Sequence, residues 1–215
     1  MNKPLLLPYN TSFRIRSRGR LPHWELDDAV YFFTYRLHDA LPQKVLAELE
    51  RERTEIIRRV AGCRAQLSVE QRWRIDEDFG HRLDEELDKG YGSCLLKTSS
   101  VAEILIENWF HFDEVRYRMI AWSVMPNHVH LIVHLFVGAM LGRTLHSWKS
   151  FSAHETNRIL EREGQLWQRE YFDRIVRDRR DLINKVNYVL NNPKSAGLKA
   201  WKWVGVRADR LADLV

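Results

Sequence analysis

Apolar and polar positions along the chain change period several times, and each change marks an element. Ala29-Val30-Tyr31-Phe32-Phe33-Thr34-Tyr35-Arg36-Leu37 is β-branched and aromatic and ends before Pro42, which predicts a first strand. Val45, Leu46, Leu49, Ile56, Ile57 and Val60 then recur at helical spacing. A second helix is predicted over 68–89, opened by Ser68 with Glu70 in its first turn and weakened by Gly80. Gly90-Tyr91-Gly92-Ser93 reads as a turn, and Val101, Ile104, Leu105 and Trp109 predict a short amphipathic helix over 101–112. Two β-rich runs, 115–124 and 128–137, are split by Pro126-Asn127, so an antiparallel hairpin is the simplest connection. A helix over 141–160, a strand-like run over 165–176 and a helix over 179–191 complete the pattern. Pro193 is expected to stop the last helix, because the residue before a proline is pushed out of the α region.

The order β, α, β, β, α, β, α predicts an α+β fold: a ferredoxin-like split βαβ core with an antiparallel sheet and an added C-terminal helix. The stretch 43–90 enlarges this core as a helical insert. With 215 residues, the chain reads as one domain over 1–215, with an N-terminal arm over 1–22 and a C-terminal tail over 199–215.

Composition matters once the charge is located. The total is only +5. The insert is nearly balanced, with 10 basic and 12 acidic side chains, as charge-laced surface helices are. Residues 142–215 hold 15 Lys and Arg against 9 Asp and Glu, so a polyanion would be gripped there. Arg14, Arg16, Arg18 and Arg20 alternate along an extended basic arm that offers a second contact. Cys63 and Cys94 are too few for a disulfide framework or a four-thiolate metal site. The start MNKPLLLPYN is too short an apolar run for a signal peptide, and no stretch is long enough to span a membrane. A reduced, cytoplasmic setting without membrane contact is the expectation.

The candidate chemistry lies in two places. His128-Val129-His130 opens a predicted strand, where alternation projects both imidazoles to one side, and two neutral imidazoles at that spacing can share one cation. Alternation would equally put two polar residues on a half-buried strand. Tyr188 and Asn192 stand at i and i+4 on the last helix, sharing a face if the helix reaches that far; a packed tyrosine with a C-terminal asparagine cap is the plainer reading. No phosphate-cradling glycine loop, Gly-x-Ser-x-Gly elbow or His-Glu-x-x-His helix is present.

Three ordered blocks carry a resemblance: Met125-Pro126-Asn127-His128-Val129-His130-Leu131-Ile132-Val133, Leu166-Trp167-Gln168-Arg169-Glu170-Tyr171-Phe172-Asp173, and Tyr188-Val189-Leu190-Asn191-Asn192-Pro193-Lys194-Ser195-Ala196-Gly197-Leu198. Together they resemble the REP-associated tyrosine transposases, single-tyrosine members of the His-hydrophobic-His endonuclease superfamily related to insertion-sequence transposases. The likeness runs from about Trp24 to Leu198. It implies that His128, His130 and Asn192 hold a divalent Mg²⁺ or Mn²⁺ and that Tyr188 is the nucleophile, leaving a 5′-phosphotyrosine link and a free 3′-hydroxyl. It further implies a metal-dependent DNA strand transferase or nuclease acting on single-stranded, hairpin-forming repeat DNA, as monomer or homodimer. The alternative is a domesticated hairpin-DNA-binding protein with little or no cleavage. The general base is not identified by the sequence; His134 shares the histidine face by parity.

For DNA contact, Arg14, Arg16, Arg18, Lys149, Arg169, Arg174, Lys185 and Lys194 are the expected phosphate partners and Trp167 an expected stacking platform, with Trp148 and Tyr171 as further aromatics. Two departures from the family stand out. The insert is longer than in its smaller members, and Leu87-Asp88-Lys89-Gly90-Tyr91-Gly92-Ser93-Cys94 is similar to a segment of one subgroup. After Leu198 the acidic, Ser-rich tail expected of the family is missing.

Overall fold

The structure, a computed structural model, describes residues 14–17, 22–62 and 67–214. In chain order the elements are β1 (Arg14–Ser17), β2 (Pro22–Glu25), β3 (Ala29–Arg36), α1 (Gln43–Ala61), α2 (Val69–Leu87), a short 3-10 turn (Leu95–Lys97), α3 (Ser99–His111), β4 (Tyr117–Val124), β5 (His128–Leu135), α4 (Leu141–Ile159), β6 (Phe172–Ile175), α5 (Arg179–Ser195), β7 (Val204–Val206) and α6 (Ala208–Leu214). This is a mixed α+β fold. Its main sheet has the order β6-β3-β5-β4-β7, antiparallel throughout. β3 and β4, joined through the helices, flank β5 instead of each other.

All eight residues of β3 are buried because helices cover both faces of the sheet. On one face Tyr35 accepts from Trp109 Nε1 of α3 at 2.9 Å and Phe33 stacks on Trp148 of α4 at 5.8 Å between centroids. On the other, Phe32 meets Tyr188 of α5 edge-on at 5.8 Å. A strand buried on both sides reads as a continuous aromatic run, as 29–36 does.

α2 begins where expected, through a capping box in which the Ser68 hydroxyl accepts from Gln71 N and the Gln71 side chain accepts from Ser68 N. Gly80 does not break it. A Cβ there would lie 2.6 Å from the Phe172 ring, so the glycine lets α2 approach β6. Gly80→Ala is therefore expected to destabilise the fold by about 1–3 kcal/mol through overpacking, outweighing its gain of about 1 kcal/mol in helix propensity. Urea unfolding decides this, and an alanine variant as stable as the parent would show that Phe172 yields freely.

Several expectations need correction. The strand-like run 165–176 forms a ladder only over Phe172–Ile175, with an isolated bridge between Leu37 and Trp167. Between them Gln168 N still donates to the Arg36 carbonyl at 2.9 Å, while the carbonyls of Gln168 and Arg169 accept from Lys149 Nζ at 2.5 and 3.1 Å instead of from a neighbouring strand. α5 does not stop at Pro193 but continues to Ser195. A proline in the last turn costs few hydrogen bonds, and Pro193 is buried beside Val189, so packing outweighs the local bias. Asn192 is consequently helical.

The region after Leu198 is part of the core architecture: β7 pairs with β4, Trp201 Nε1 donates to the Val124 carbonyl at 2.7 Å, and Arg210 pairs with Asp113 at 2.8 Å. Its strand spans three residues and includes Gly205, too short a pattern to read from sequence. Part of the N-terminal arm is a ribbon, with Arg14 opposite Glu25 and Arg16 opposite His23. Arg18 and Arg20 lie outside the described residues, as does Cys63. Among the described residues, no helix is long and apolar enough to cross a membrane.

Candidate active site

β5 is the middle strand of the sheet, and its first residues lie on the face covered by α5 and α2. His128 stands opposite Arg36, and His130 opposite both Thr34 and Ser123. Both imidazoles are fully buried, with their Nε2 atoms 3.0 Å apart.

The tautomer of His128 follows from its neighbour. Asn127 Nδ2 donates to the carbonyls of Leu87 and Tyr91, each at 3.1 Å, so its Oδ1 faces His128 Nδ1 at 2.8 Å and accepts from it. His128 thus carries its proton on Nδ1 and leaves Nε2 bare. His130 Nδ1 lies 2.8 Å from the Thr34 hydroxyl, which can rotate to donate or to accept. His130 Nε2 accordingly either donates to His128 or stands bare beside it. Two nitrogens each about 2.1 Å from one ion, at right angles, would be about 3 Å apart, so the pair could share a cation.

Burial brings the His128 pKa down to about 3 and holds His130 well below the usual imidazole range, with His128 and Lys185 adding to the effect at His130. Both rings are therefore neutral, the form that ligates a metal. Asp88 Oδ1, buried without a hydrogen-bond partner, sits 3.8 Å from His128 Nε2. Among the described residues no three His, Cys, Asp or Glu side chains gather as a metal site. A third ligand from an asparagine would not register in such a grouping.

α5 is anchored at its start by the Asp178 side chain accepting from Asp181 N at 2.8 Å, and along its length by buried Leu182, Val186 and Val189. This registers Tyr188 over the histidines, its ring 5.4 Å from that of His130, 5.8 Å from Phe32 and 6.3 Å from His81. The Tyr188 hydroxyl donates to Asp84 Oδ2 of α2 at 2.6 Å. Asn192, one turn on, lies against the same hydroxyl, and its buried Oδ1 has no hydrogen-bond partner. Burial, then the Asp84 charge and hydrogen bond, push the phenol far above its ordinary pKa.

His128, His130, Tyr188 and Asn192 thus occupy one buried region, on β5 and α5. The expected DNA contacts are more scattered. Arg169 and Lys194 are exposed. Lys149 is engaged by the Gln168 and Arg169 carbonyls, and burial lowers its pKa to about 8. Arg174 bonds to Glu77 and Asp181, tying β6 to α2 and α5. Lys185 is largely covered, over the rings of Phe32 and Tyr188 at 5.1 and 5.8 Å. Trp167 is buried, with Nε1 donating to Ser152 at 2.9 Å, and Trp148 is buried as well, whereas Tyr171 stacks on His23. His134 binds Asp28 at 2.9 Å, four residues along β5 from His130, or about 13 Å of strand.

Sequence reading missed Asp84, Asp88, Asn127 and Thr34. Asp84 and Asp88 are two among the insert's 12 acidic residues, and Asn127 has the credentials of a turn residue. Only the three-dimensional contact marks them.

The family model "Transposase IS200 like" matches residues 99–192, a span that starts with α3 and ends on Asn192. A Haemophilus influenzae protein named as a REP-associated tyrosine transposase is 25% identical over 114 residues, covering 46% of this chain and 64% of that protein. Over these spans the chain is similar to IS200-like transposases and to a REP-associated tyrosine transposase. The alignment thus takes in slightly less than two thirds of that relative's length. The solved structure of a REP-associated tyrosine transposase bound to a REP hairpin has the same fold, with a TM-score of 0.50 at 15% identity, over 90% of this chain and 86% of that one. Within the IS200-like transposase span lie both histidines, Tyr188 and Asn192, whereas Asp84 and Asp88 precede it.

Proposed function

We propose that this chain is a metal-dependent single-tyrosine DNA strand transferase that nicks and rejoins single-stranded, hairpin-forming repeat DNA. The observation that carries this reading is the packing of Tyr188 against His130, beside a pair of neutral imidazoles whose Nε2 atoms converge. The sheet order, with the fourth core strand beside the first and the third between first and second, supports a ferredoxin-like core. The reach of α2 from the insert to Tyr188 supports one domain, and a tyrosine and histidine pair in contact within one chain supports a monomer working in cis.

The residues present fit a divalent ion. His128 and His130 offer neutral nitrogens, and Asn192 Oδ1 is a buried oxygen without a partner, the donor set expected for Mg²⁺ or Mn²⁺. When bound, such an ion supplies Lewis-acid polarisation of the scissile phosphodiester. The chain's own residues do the rest. Tyr188 Oη attacks phosphorus in line, the bond to the 3′ oxygen breaks, and the resulting 5′-phosphotyrosine conserves bond energy for rejoining. Exposed Arg169, Arg179, Arg180, Lys194 and Lys199 are placed to neutralise phosphates, whereas Lys149, Arg174 and Lys185 are engaged within the protein.

The test is incubation with single-stranded hairpin DNA and Mn²⁺, followed by detection of a denaturant-resistant protein–DNA adduct in the parent and in Tyr188→Phe. Cleavage that persists in the variant sinks the tyrosine mechanism. Hairpin binding without cleavage in either metal returns the chain to a domesticated binding protein.

Asn127→Ala gives a separate check on the ligand pair. Losing the acceptor that holds the His128 proton on Nδ1 is expected to weaken Mn²⁺ binding by about 10–100-fold, as loss of a supporting hydrogen bond does at other metal sites. Electron paramagnetic resonance of free Mn²⁺ in the DNA-free protein measures it. Unchanged affinity would mean that Asn127 has no bearing on the ligand.

A further inference from the structure

The nicking step needs a group to receive the phenolic proton of Tyr188. We infer that Asp84 is that base, taking the proton as the 5′-phosphotyrosine link forms and returning it when the link is resolved; this rests on the strand-transfer reading above. The helical insert, on this view, completes the active site.

Geometry singles out Asp84. Its Oδ2 accepts from Tyr188 Oη at 2.6 Å across 104 residues of sequence, within the reach a proton transfer requires. The carboxyl is buried, and among the described residues its Oδ1 has no hydrogen-bond partner and the carboxyl no ion pair. A buried carboxylate so placed is costly to maintain, so stability does not explain its presence. The nearest cation on α5, Lys185, approaches Glu77 at 3.9 Å and lies over the rings of Phe32 and Tyr188. Other candidates fail on position: His134 is engaged with Asp28 at the far end of β5, and His128 and His130 are turned to each other and held by Asn127 and Thr34.

Tyr188, Lys185 and Asp88 act on Asp84, and its partner Tyr188 is faced by Asn192 from α5, His81 from α2 and His130 from β5. Burial raises the Asp84 pKa to about 7, the Tyr188 hydrogen bond and Lys185 oppose this, and Asp88 reinforces it. A base with a pKa near the working pH combines a substantial ionised fraction with useful proton affinity.

The step balances. The Oη–P bond forms as the P–O3′ bond breaks, the phenolic proton passes to Asp84 Oδ2, and the departing 3′ oxygen takes a proton from solvent. On rejoining, a 3′-hydroxyl attacks phosphorus and loses its proton to solvent, while Asp84 returns its proton to Oη.

Single-turnover adduct formation on a hairpin-bearing single-stranded oligonucleotide with Mn²⁺ tests this from about pH 5.5 to 9. In the parent, the rate is expected to rise about tenfold per pH unit and level off near 7, where Asp84 is ionised. Asp84→Asn should be slower by about 10²–10⁴-fold, with hairpin affinity within about twofold and no inflection near neutrality. A variant that forms adduct at the parental rate, or keeps the inflection, overturns the assignment. Should Asp84→Asn fail to fold, the parental profile alone decides, and no inflection between about pH 6 and 8 overturns it. Adduct lost in Tyr188→Phe but retained in Asp84→Asn removes only the base. Cleavage retained in Tyr188→Phe removes the strand-transfer reading itself.

Discussion

Tyr188→Phe is expected to reduce covalent adduct formation by more than about 10³-fold, because it deletes the attacking oxygen and attack by water would hydrolyse the strand without linking it to the protein. The fold should survive. The ring keeps its contacts with Phe32, His130 and His81, and what is lost is the hydroxyl's hydrogen bond to Asp84 and its contact with Asn192. Leaving Asp84 Oδ2 without its donor costs about 1–3 kcal/mol. That cost grows as pH rises through about 7, because Asp84, with a pKa raised above the unfolded carboxylate value, is more readily buried when protonated. The same linkage predicts that the native protein loses stability between about pH 4 and 7 as this group ionises, and that Asp84→Asn melts at a higher temperature than the parent at pH 8. A calorimetric scan against pH checks both; an Asp84→Asn variant that melts lower at pH 8 would mean that the carboxylate stabilises the fold.

Trp148→Ala should produce the largest loss of stability, about 3–5 kcal/mol, a large share of the 5–15 kcal/mol typical of a domain. Trp148 is 1% exposed, stacks on Phe33, and its Nε1 donates to Tyr117 Oη at 2.8 Å. Truncation would open a cavity between α4 and the sheet and leave the Tyr117 hydroxyl without that donor. The Trp148 carbonyl also accepts from Asn108 Nδ2 and Ser152 Oγ, so the region can collapse little without breaking α3–α4 contacts. Urea denaturation gives the number. A loss under about 1 kcal/mol, accompanied by weakened DNA binding, would instead make Trp148 a stacking platform.

The charge of the C-terminal third has a different distribution from the one its composition suggests. Arg174 and Lys185 stand in the same basic stretch as Arg179 and Lys194, yet the first pair is drawn inward by Glu77 and Asp181 while the second stays exposed. In the linear sequence all four are alike, basic residues of one stretch. Side-chain direction, set by the packing of α5 against β6 and α2, divides them.

Periodicity and a few residue types were enough to place β3, the β4–β5 hairpin, α3, α4 and the start of α2, because those segments follow local rules: alternation, 3.6-residue spacing, a Ser68 cap, a Pro126-Asn127 turn. The same rules put His128 and His130 on one face and Tyr188 four residues before Asn192. They failed at Pro193, where burial outweighed a backbone preference, and at 168–171, where the Gln168 and Arg169 carbonyls bond to a lysine from another helix. The partnership of Tyr188 with Asp84 belongs to the tertiary structure, as does the anchoring of Asn127 on the Leu87 and Tyr91 carbonyls that turns its Oδ1 to the neighbouring His128. Each joins residues whose local patterns say only "surface helix" or "turn", and hydrogen bonds of 2.6 and 3.1 Å between them exist only once α2, α5 and β5 have packed together.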